Sequence, residues 1–137
     1  MSQLITDRQR LLLLANGARY EKDEDFSPFP VVKLWMPRTG FIWLLASLEP
    51  EYPWLGFALA DLALGFPEMG IIDLQEIIDC CETNKHTLLA DTDFVPAKPL
   101  SAYADDARKA RRIVTEPATM FGMPLAAGPT NSDRPLP

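Results

Sequence analysis

The middle of the chain is at once its most apolar and its most acidic part. Between Arg38 and Lys98 it carries ten carboxylates and a single cation, Lys85. Because burying an unpaired charge is costly, these carboxylates must lie on the rim of a packed core. They are Glu49, Glu51, Asp61, Glu68, Asp73, Glu76, Asp79, Glu82, Asp91 and Asp93. A surface of one sign repels nucleic acid and attracts cationic partners.

The composition is that of one soluble globular domain. The chain has 137 residues, of which 47% are hydrophobic and 23% are charged. No apolar run reaches the roughly 18 residues that a membrane span requires, and the first residues do not resemble a secretory signal. Two adjacent cysteines, Cys80 and Cys81, cannot build a disulfide framework, so we expect a cytoplasmic protein. The net charge of −6 argues against general binding to DNA or membranes.

Three segments are predicted to be helical. They lie near residues 6–16, 73–84 and 101–114. Thr6 and Gln9 form a capping-box pattern, and Gly17 is predicted to end the first helix in a left-handed conformation. Asp73 and Glu76 repeat the capping pattern at the second helix. The third helix is predicted from apolar residues that recur at helical spacing.

Strands are predicted near residues 31–36, 41–48 and 54–64, with shorter ones near 71–72 and 91–95. The second is apolar at both alternating sets of positions, which predicts a central strand covered on both faces. Strict alternation places Leu48 on the same face as Ile42. Trp35, Trp43 and Trp54 could line a recognition surface, but all three lie in predicted strands, where tryptophan usually belongs to the core.

Together these elements predict an α+β fold, in which a small antiparallel sheet of three to five strands packs against about three helices. Residues 1–114 are expected to form a single domain. Residues 115–137 contain five prolines and no apolar period, which is typical of an extended or disordered tail.

Several stretches resemble the bacterial family known as domain of unknown function 2958. They are PVVKL (30–34), WLL (43–45), GFALADLALGFPEMG (56–70), FVPAKPLSAY (94–103) and AR (107–108). The resemblance covers roughly residues 4–114 and excludes the proline-rich tail. It implies a small accessory product of conjugative plasmids or related mobile DNA, and it brings no assigned activity. Residues 80–86 depart from the basic, leucine-containing segment that the family pattern has there.

Asp61 is the most informative single carboxylate. It lies in an apolar run, where an ionised carboxylate needs several hydrogen-bond donors or a cation. In one interpretation it braces the glycine-containing loop at residues 65–70 by accepting backbone N–H bonds. In the other it forms, with Glu68, a pocket for a ligand or a substrate, which would make the protein a small binding domain or an enzyme.

Other candidate sites are weaker. Cys80, Cys81 and His86 provide too few ligands for zinc, and Asp91 and Asp93 lack the remainder of a calcium loop. No catalytic motif occurs, so we expect no metal, no cofactor and no catalytic residues.

Our leading hypothesis is a non-catalytic acidic protein of a mobile element that binds a basic host or element protein, with an anti-defence role such as inhibition of a CRISPR or restriction nuclease. The candidate binding residues in the acidic middle are Glu49, Glu51, Asp61, Glu68, Asp79 and Glu82. The alternative of nucleic-acid binding would use Arg108, Arg111 and Arg112, although these also suit a solvated helix end or an internal partner for the acidic middle.

Overall fold

The structure is a computed structural model and describes residues 4–115. The prediction of an irregular tail therefore lies, apart from Thr115, outside the described residues. The elements in chain order are α1 (Asp7–Lys22), β1 (Val32–Met36), β2 (Phe41–Leu48), β3 (Leu55–Asp61), β4 (Glu68–Asp73), α2 (Leu74–Thr83), β5 (Leu89–Ala90) and α3 (Leu100–Ala110).

All five strands form one antiparallel sheet in the order β4-β3-β2-β1-β5. Strand β2 lies at its centre, and seven of its eight residues are buried. The predicted α+β fold, with three helices and an antiparallel sheet of up to five strands, is confirmed. The short strand near residues 71–72 is longer than predicted, because β4 begins at Glu68.

The sheet has a hydrophobic core on each face. On one face Leu13 of α1 and Leu74 and Cys81 of α2 pack with Leu34 and Leu45 of the sheet. On the opposite face, α3 covers the other alternating positions. The buried residues there include Leu44, Leu59, Leu100, Tyr103 and Ala107. Helices α1 and α2 therefore shield one face of the sheet, and α3 shields the other.

A bulge in β2 corrects the predicted alternation. Leu45 pairs with Ala58, but Ser47 pairs with Phe57, so one extra residue is accommodated between them. This shift returns Leu48 to the core that contains Leu45, whereas strict alternation had placed it on the face of Ile42. A bulge changes which residues share a face. Because β2 is apolar on both faces, its sequence pattern gives no sign of where the alternation shifts.

The first helix is also longer than predicted, because Gly17 does not end it. α1 continues to Lys22, and Gly17 is buried inside it. A Cβ atom at this position would lie 1.9 Å from the backbone oxygen of Leu48. Gly17 therefore serves close packing of α1 on β2, which only a residue without a side chain permits.

The predicted caps of α1 and α2 are present. Thr6 and Gln9 form the reciprocal capping box, and the Asp73 carboxylate accepts a hydrogen bond of 2.9 Å from the backbone N–H of Glu76. α3 ends at Ala110, earlier than predicted, and Arg111 follows with a left-handed φ of 62°. None of the helices found between residues 4 and 115 combines the length and apolar character that a bilayer crossing requires.

Replacing Gly17 by alanine tests the close contact between α1 and β2. Alanine ordinarily stabilises a helix interior by about 1 kcal/mol relative to glycine. Here we expect Gly17→Ala to lower the free energy of unfolding by about 1–3 kcal/mol, because the added methyl group meets backbone. The measurement is urea unfolding, with Gly70→Ala as the control because a Cβ there meets nothing within 4 Å. Stabilisation by Gly17→Ala would contradict this packing.

Candidate functional site

The loop between β2 and β3 displays two aromatic side chains in a fixed turn. Within it, the Tyr52 N–H donates to the Glu49 oxygen at 3.2 Å, and the Leu55 N–H donates to the Tyr52 oxygen at 2.8 Å. The rings of Tyr52 and Trp54 meet edge to face, with centroids 5.8 Å apart. Both side chains are exposed, and Trp54 retains 47% of its accessible surface. A rigid aromatic pair therefore faces solvent at this end of the sheet.

The start of α2 is fastened to the same loop. The N–H of Leu74 donates to the backbone oxygen of Trp54 at 2.8 Å, where β4 passes into the helix. Because Asp73 caps the helix through the Glu76 N–H, the first turn of α2 is also fixed. The loop and the helix start thus form a single rigid surface.

Between them lies an open depression of about 380 Å³. Trp54, Asp73, Gln75, Glu76 and Asp79 line it. The Gln75 amide donates to the Asp79 carboxylate at 2.9 Å, which orients that side chain. An aromatic face beside several carboxylates favours a cation, by electrostatic attraction to the ring and by charge pairing.

Charges around this depression are not neutralised within the described residues. Three ion pairs occur between residues 4 and 115: Lys33 with Asp91, Lys98 with Asp106, and Arg108 with Asp105. None of them includes Glu49, Glu51, Asp79 or Glu82. Residues 108–112 were also considered as internal partners of the acidic middle. Between residues 4 and 115 no ion pair joins the two, and Arg108 instead contacts Asp105 of its own helix.

The structure divides the ten carboxylates of the acidic middle among several places. Glu49 and Glu51 lie on the loop that carries Trp54, and Asp79 lies in the depression. Glu82 is exposed one turn further along α2. Asp91 pairs with Lys33 beside β5, at the opposite edge of the sheet. The group of carboxylates around the depression is therefore smaller than the ten that the sequence pattern contains.

Asp61 is a structural acceptor. Its side chain is only 3% exposed, and its two oxygens accept from the N–H groups of Ala63 and Ile113, each at 2.9 Å. It therefore braces the turn just after β3 and the segment after α3. The prediction that it braces the loop at residues 65–70 is wrong. The structure does not bring Asp61 and Glu68 together. Glu68 is opposite Ala60 and therefore on the other face of the sheet, with its side chain exposed.

The two adjacent cysteines differ in exposure and in the reactivity expected of them. Cys81 is buried and Cys80 is exposed. Burial raises the pKa of the Cys81 thiol, and the neighbouring Cys80 and Glu82 raise it further, so the reactive thiolate is disfavoured. Throughout residues 4–115, no group of three or more His, Cys, Asp or Glu side chains is placed to hold a metal ion.

The basic cluster lies at the end of α3, across the sheet from α2. Arg108 is paired with Asp105, while Arg111 and Arg112 are exposed just after the helix. Nucleic-acid binding by this cluster stays a prediction.

Sequence reasoning considered Trp54 only as part of a recognition surface shared with Trp35 and Trp43 and favoured the core for all three, and it did not identify Tyr52. Trp35 and Trp43 belong to the core as predicted, but Trp54 precedes β3 and is exposed. The usable signal was its place in the sequence EPEYPW (49–54), where two prolines and two glutamates surround the aromatic residues. Asp73 and Glu76 were recognised only for their capping pattern.

Comparison with known proteins places the chain in a family. The model of the family described as protein of unknown function (DUF2958) matches residues 4–114. The chain belongs to this family. No curated protein and no solved structure matches it. The match ends within one residue of the last described position, so the family model and the described fold cover the same part of the chain.

Neutralising Asp61 tests its structural role in this member of the family. Asp61→Asn leaves one acceptor oxygen for two backbone N–H groups, and we expect the free energy of unfolding to fall by about 1.5–3 kcal/mol. Glu68→Gln, at an exposed position, should change it by less than about 0.5 kcal/mol. Urea unfolding measures both. Equal stability of Asp61→Asn and the unaltered protein would show that Asp61 does not brace the fold.

Alkylation tests the description of the two cysteines. At neutral pH, iodoacetamide should modify Cys80 in the folded protein and reach Cys81 only after unfolding, because Cys81 is buried and its pKa is raised. Mass spectrometry of digested protein identifies the modified residue, and Cys80→Ser provides the control. Rapid modification of Cys81 in the folded Cys80→Ser variant would be inconsistent with the structure.

Proposed function

We propose that the chain is a non-catalytic binding protein, which holds a basic segment of a partner protein over Trp54 and the carboxylates beside it. The observation that supports this most directly is the depression at the start of α2, where an exposed tryptophan lies among Asp73, Glu76 and Asp79. Exposed aromatic residues are frequent anchors of protein interfaces, and an arginine or lysine side chain can use the ring and the carboxylates together.

The charge at this site exceeds what the helix itself requires. Carboxylates in the first turn of a helix stabilise it by interacting with its N-terminal dipole, which accounts for Asp73 and Glu76. Asp79 lies beyond the first turn, and Glu49 and Glu51 lie on the loop outside the helix. These three carboxylates increase the negative potential around Trp54 without serving the helix start.

The partner in our proposal is a protein with a basic surface, such as a host defence nuclease. The mobile-element context rests on the family resemblance, which suggests an accessory role. Proteins that handle nucleic acid present basic surfaces to phosphates, and an acidic protein can compete for such a surface. Inhibition of a CRISPR or restriction nuclease is one form that this role would take.

Binding of a short synthetic peptide of alternating arginine and glycine tests the site directly. The measurement is fluorescence anisotropy of the labelled peptide with the full chain. We expect Trp54→Ala, and separately the double variant Glu76→Lys with Asp79→Lys, to weaken binding at least about tenfold, because each removes part of the cation site.

A matched control separates this site from the effect of total charge. Glu21→Lys with Glu24→Lys changes net charge by the same amount at exposed positions on and just after α1. It should weaken binding by less than about threefold, since local contacts and not net charge hold the peptide. Equal losses in the two double variants would contradict a specific site. Thermal unfolding verifies that every variant is folded.

Affinity capture from a host lysate, with and without nuclease treatment, then identifies the class of natural partner. A basic protein that is retained after nuclease treatment and lost with Trp54→Ala supports the proposal. Capture that depends on nucleic acid and on Arg108, Arg111 and Arg112 would contradict it and would favour the nucleic-acid alternative.

A further inference from the structure

Strand β4 forms one edge of the sheet, and half of its backbone groups point away from its neighbour β3. The Leu74 N–H donates to the Trp54 oxygen at 2.8 Å, and the register then pairs Gly56 with Ile72 and Ala58 with Gly70. In two antiparallel strands, residues that lie opposite each other form hydrogen-bonded and non-hydrogen-bonded pairs in alternation. The bonded pairs therefore contain Ile72 and Gly70, so the N–H and C=O groups of Met69 and Ile71 are directed to the open edge.

The side chains of these two residues are also exposed and apolar. Met69 is opposite Leu59 and Ile71 is opposite Phe57, so both lie on the face that α3 covers further along the sheet. They nevertheless retain 41% and 58% of their accessible surface. The preceding loop adds Phe66, which is also exposed. The edge of the sheet thus combines available hydrogen-bonding groups with apolar contact area.

Natural edge strands are usually protected from pairing with another strand. Lysine, proline, a bulge or an inward-pointing charge normally provides this protection. The sequence of β4, EMGIID, has no lysine or proline, and its pairing with β3 is regular across six residues. Its acidic residues, Glu68 and Asp73, stand at the two ends. The centre of the strand is therefore open to strand addition.

We propose that β4 pairs antiparallel with β4 of a second copy of this chain, with the two-fold axis at Gly70. In this register Met69 of each copy lies opposite Ile71 of the other copy. The outward N–H and C=O groups of these residues then form hydrogen bonds between the two strands. The apolar side chains meet on one face, as cross-strand pairs do in stable sheets. A Cβ at Gly70 would meet nothing within 4 Å, so the chain itself leaves space at the axis.

The charges of β4 suit this register. Glu68 falls opposite Ile72 of the second copy, so no two carboxylates of the strand oppose each other directly. Repulsion comes instead from the net charge of −6 on each chain, which acts over a longer range. Because salt screens such repulsion, added salt should strengthen the dimer, whereas it should weaken the binding of a basic peptide at Trp54. The opposite salt dependences keep the two proposals separable.

Sedimentation equilibrium of the full chain tests the pairing. We expect a monomer–dimer equilibrium that shifts toward the dimer as NaCl is raised from about 0.05 to 0.5 M. Ile71→Lys places a charge in the apolar pair and should raise the dissociation constant at least about tenfold. Ile71→Pro removes the outward N–H together with the isoleucine side chain, without adding a charge, and should weaken the dimer similarly, because an edge strand tolerates proline at such a position.

The matched control is Leu11→Lys, which introduces the same charge at an exposed leucine on α1. It should leave the dissociation constant within about threefold of the unaltered protein. A monomer at every concentration and salt level would overturn the proposal. A dimer that Ile71→Lys leaves intact, or that Leu11→Lys disrupts in its place, would also overturn it. Circular dichroism establishes that Ile71→Lys and Ile71→Pro remain folded.

Discussion

Burial of β2 on both faces is the constraint on which the rest of the structure depends. A strand that is apolar in both directions has to be covered twice, and a single sheet can do this only with helices on each side. α1 and α2 cover one face, and α3 covers the other. Contact at Gly17 brings α1 so close to β2 that the backbone of Leu48 occupies the space of a side chain.

Both candidate surfaces follow from what these helices leave uncovered. The helices cover the centre of the sheet. Most carboxylates of the acidic middle therefore lie on the loops, at the start of α2 or on the edge strand β4. Asp61 remains inside because two backbone N–H groups satisfy its oxygens. The loop that follows β2 projects Trp54 beyond the sheet, next to the capped start of α2. β4 lies at the edge of the sheet and keeps exposed apolar side chains there.

Sequence reasoning recovered the features that depend on local pattern. The caps at Thr6 and Asp73 were predicted because a side-chain oxygen next to its own helix start acts within a few residues. The central position of β2 was predicted because hydrophobicity on both faces reports burial directly. The extent of α1 was not predicted. In the sequence, a glycine that ends a helix cannot be told from a glycine inside a helix that allows close packing, as Gly17 does. Only the distant strand distinguishes them.

The candidate site was recovered in part, for a related reason. Glu49, Glu51 and Asp79 were identified from charge alone, but charge counted along the chain does not reveal which carboxylates converge. Asp61 and Glu68 are close in sequence, and the alternation of neighbouring strands places them on opposite faces. Trp54 and Asp79 are far apart in sequence, and the pairing of β3 with β4 brings them to one depression.

The three tryptophans allow one measurement of the central claim, that a basic partner is held at Trp54. Each indole N–H gives its own signal in a ¹H–¹⁵N correlation spectrum, and Trp35 and Trp43 are buried while Trp54 is exposed. During titration with the arginine–glycine peptide, the account predicts a saturable shift of the Trp54 indole signal and almost none for the other two. An unchanged Trp54 signal at saturating peptide would contradict it.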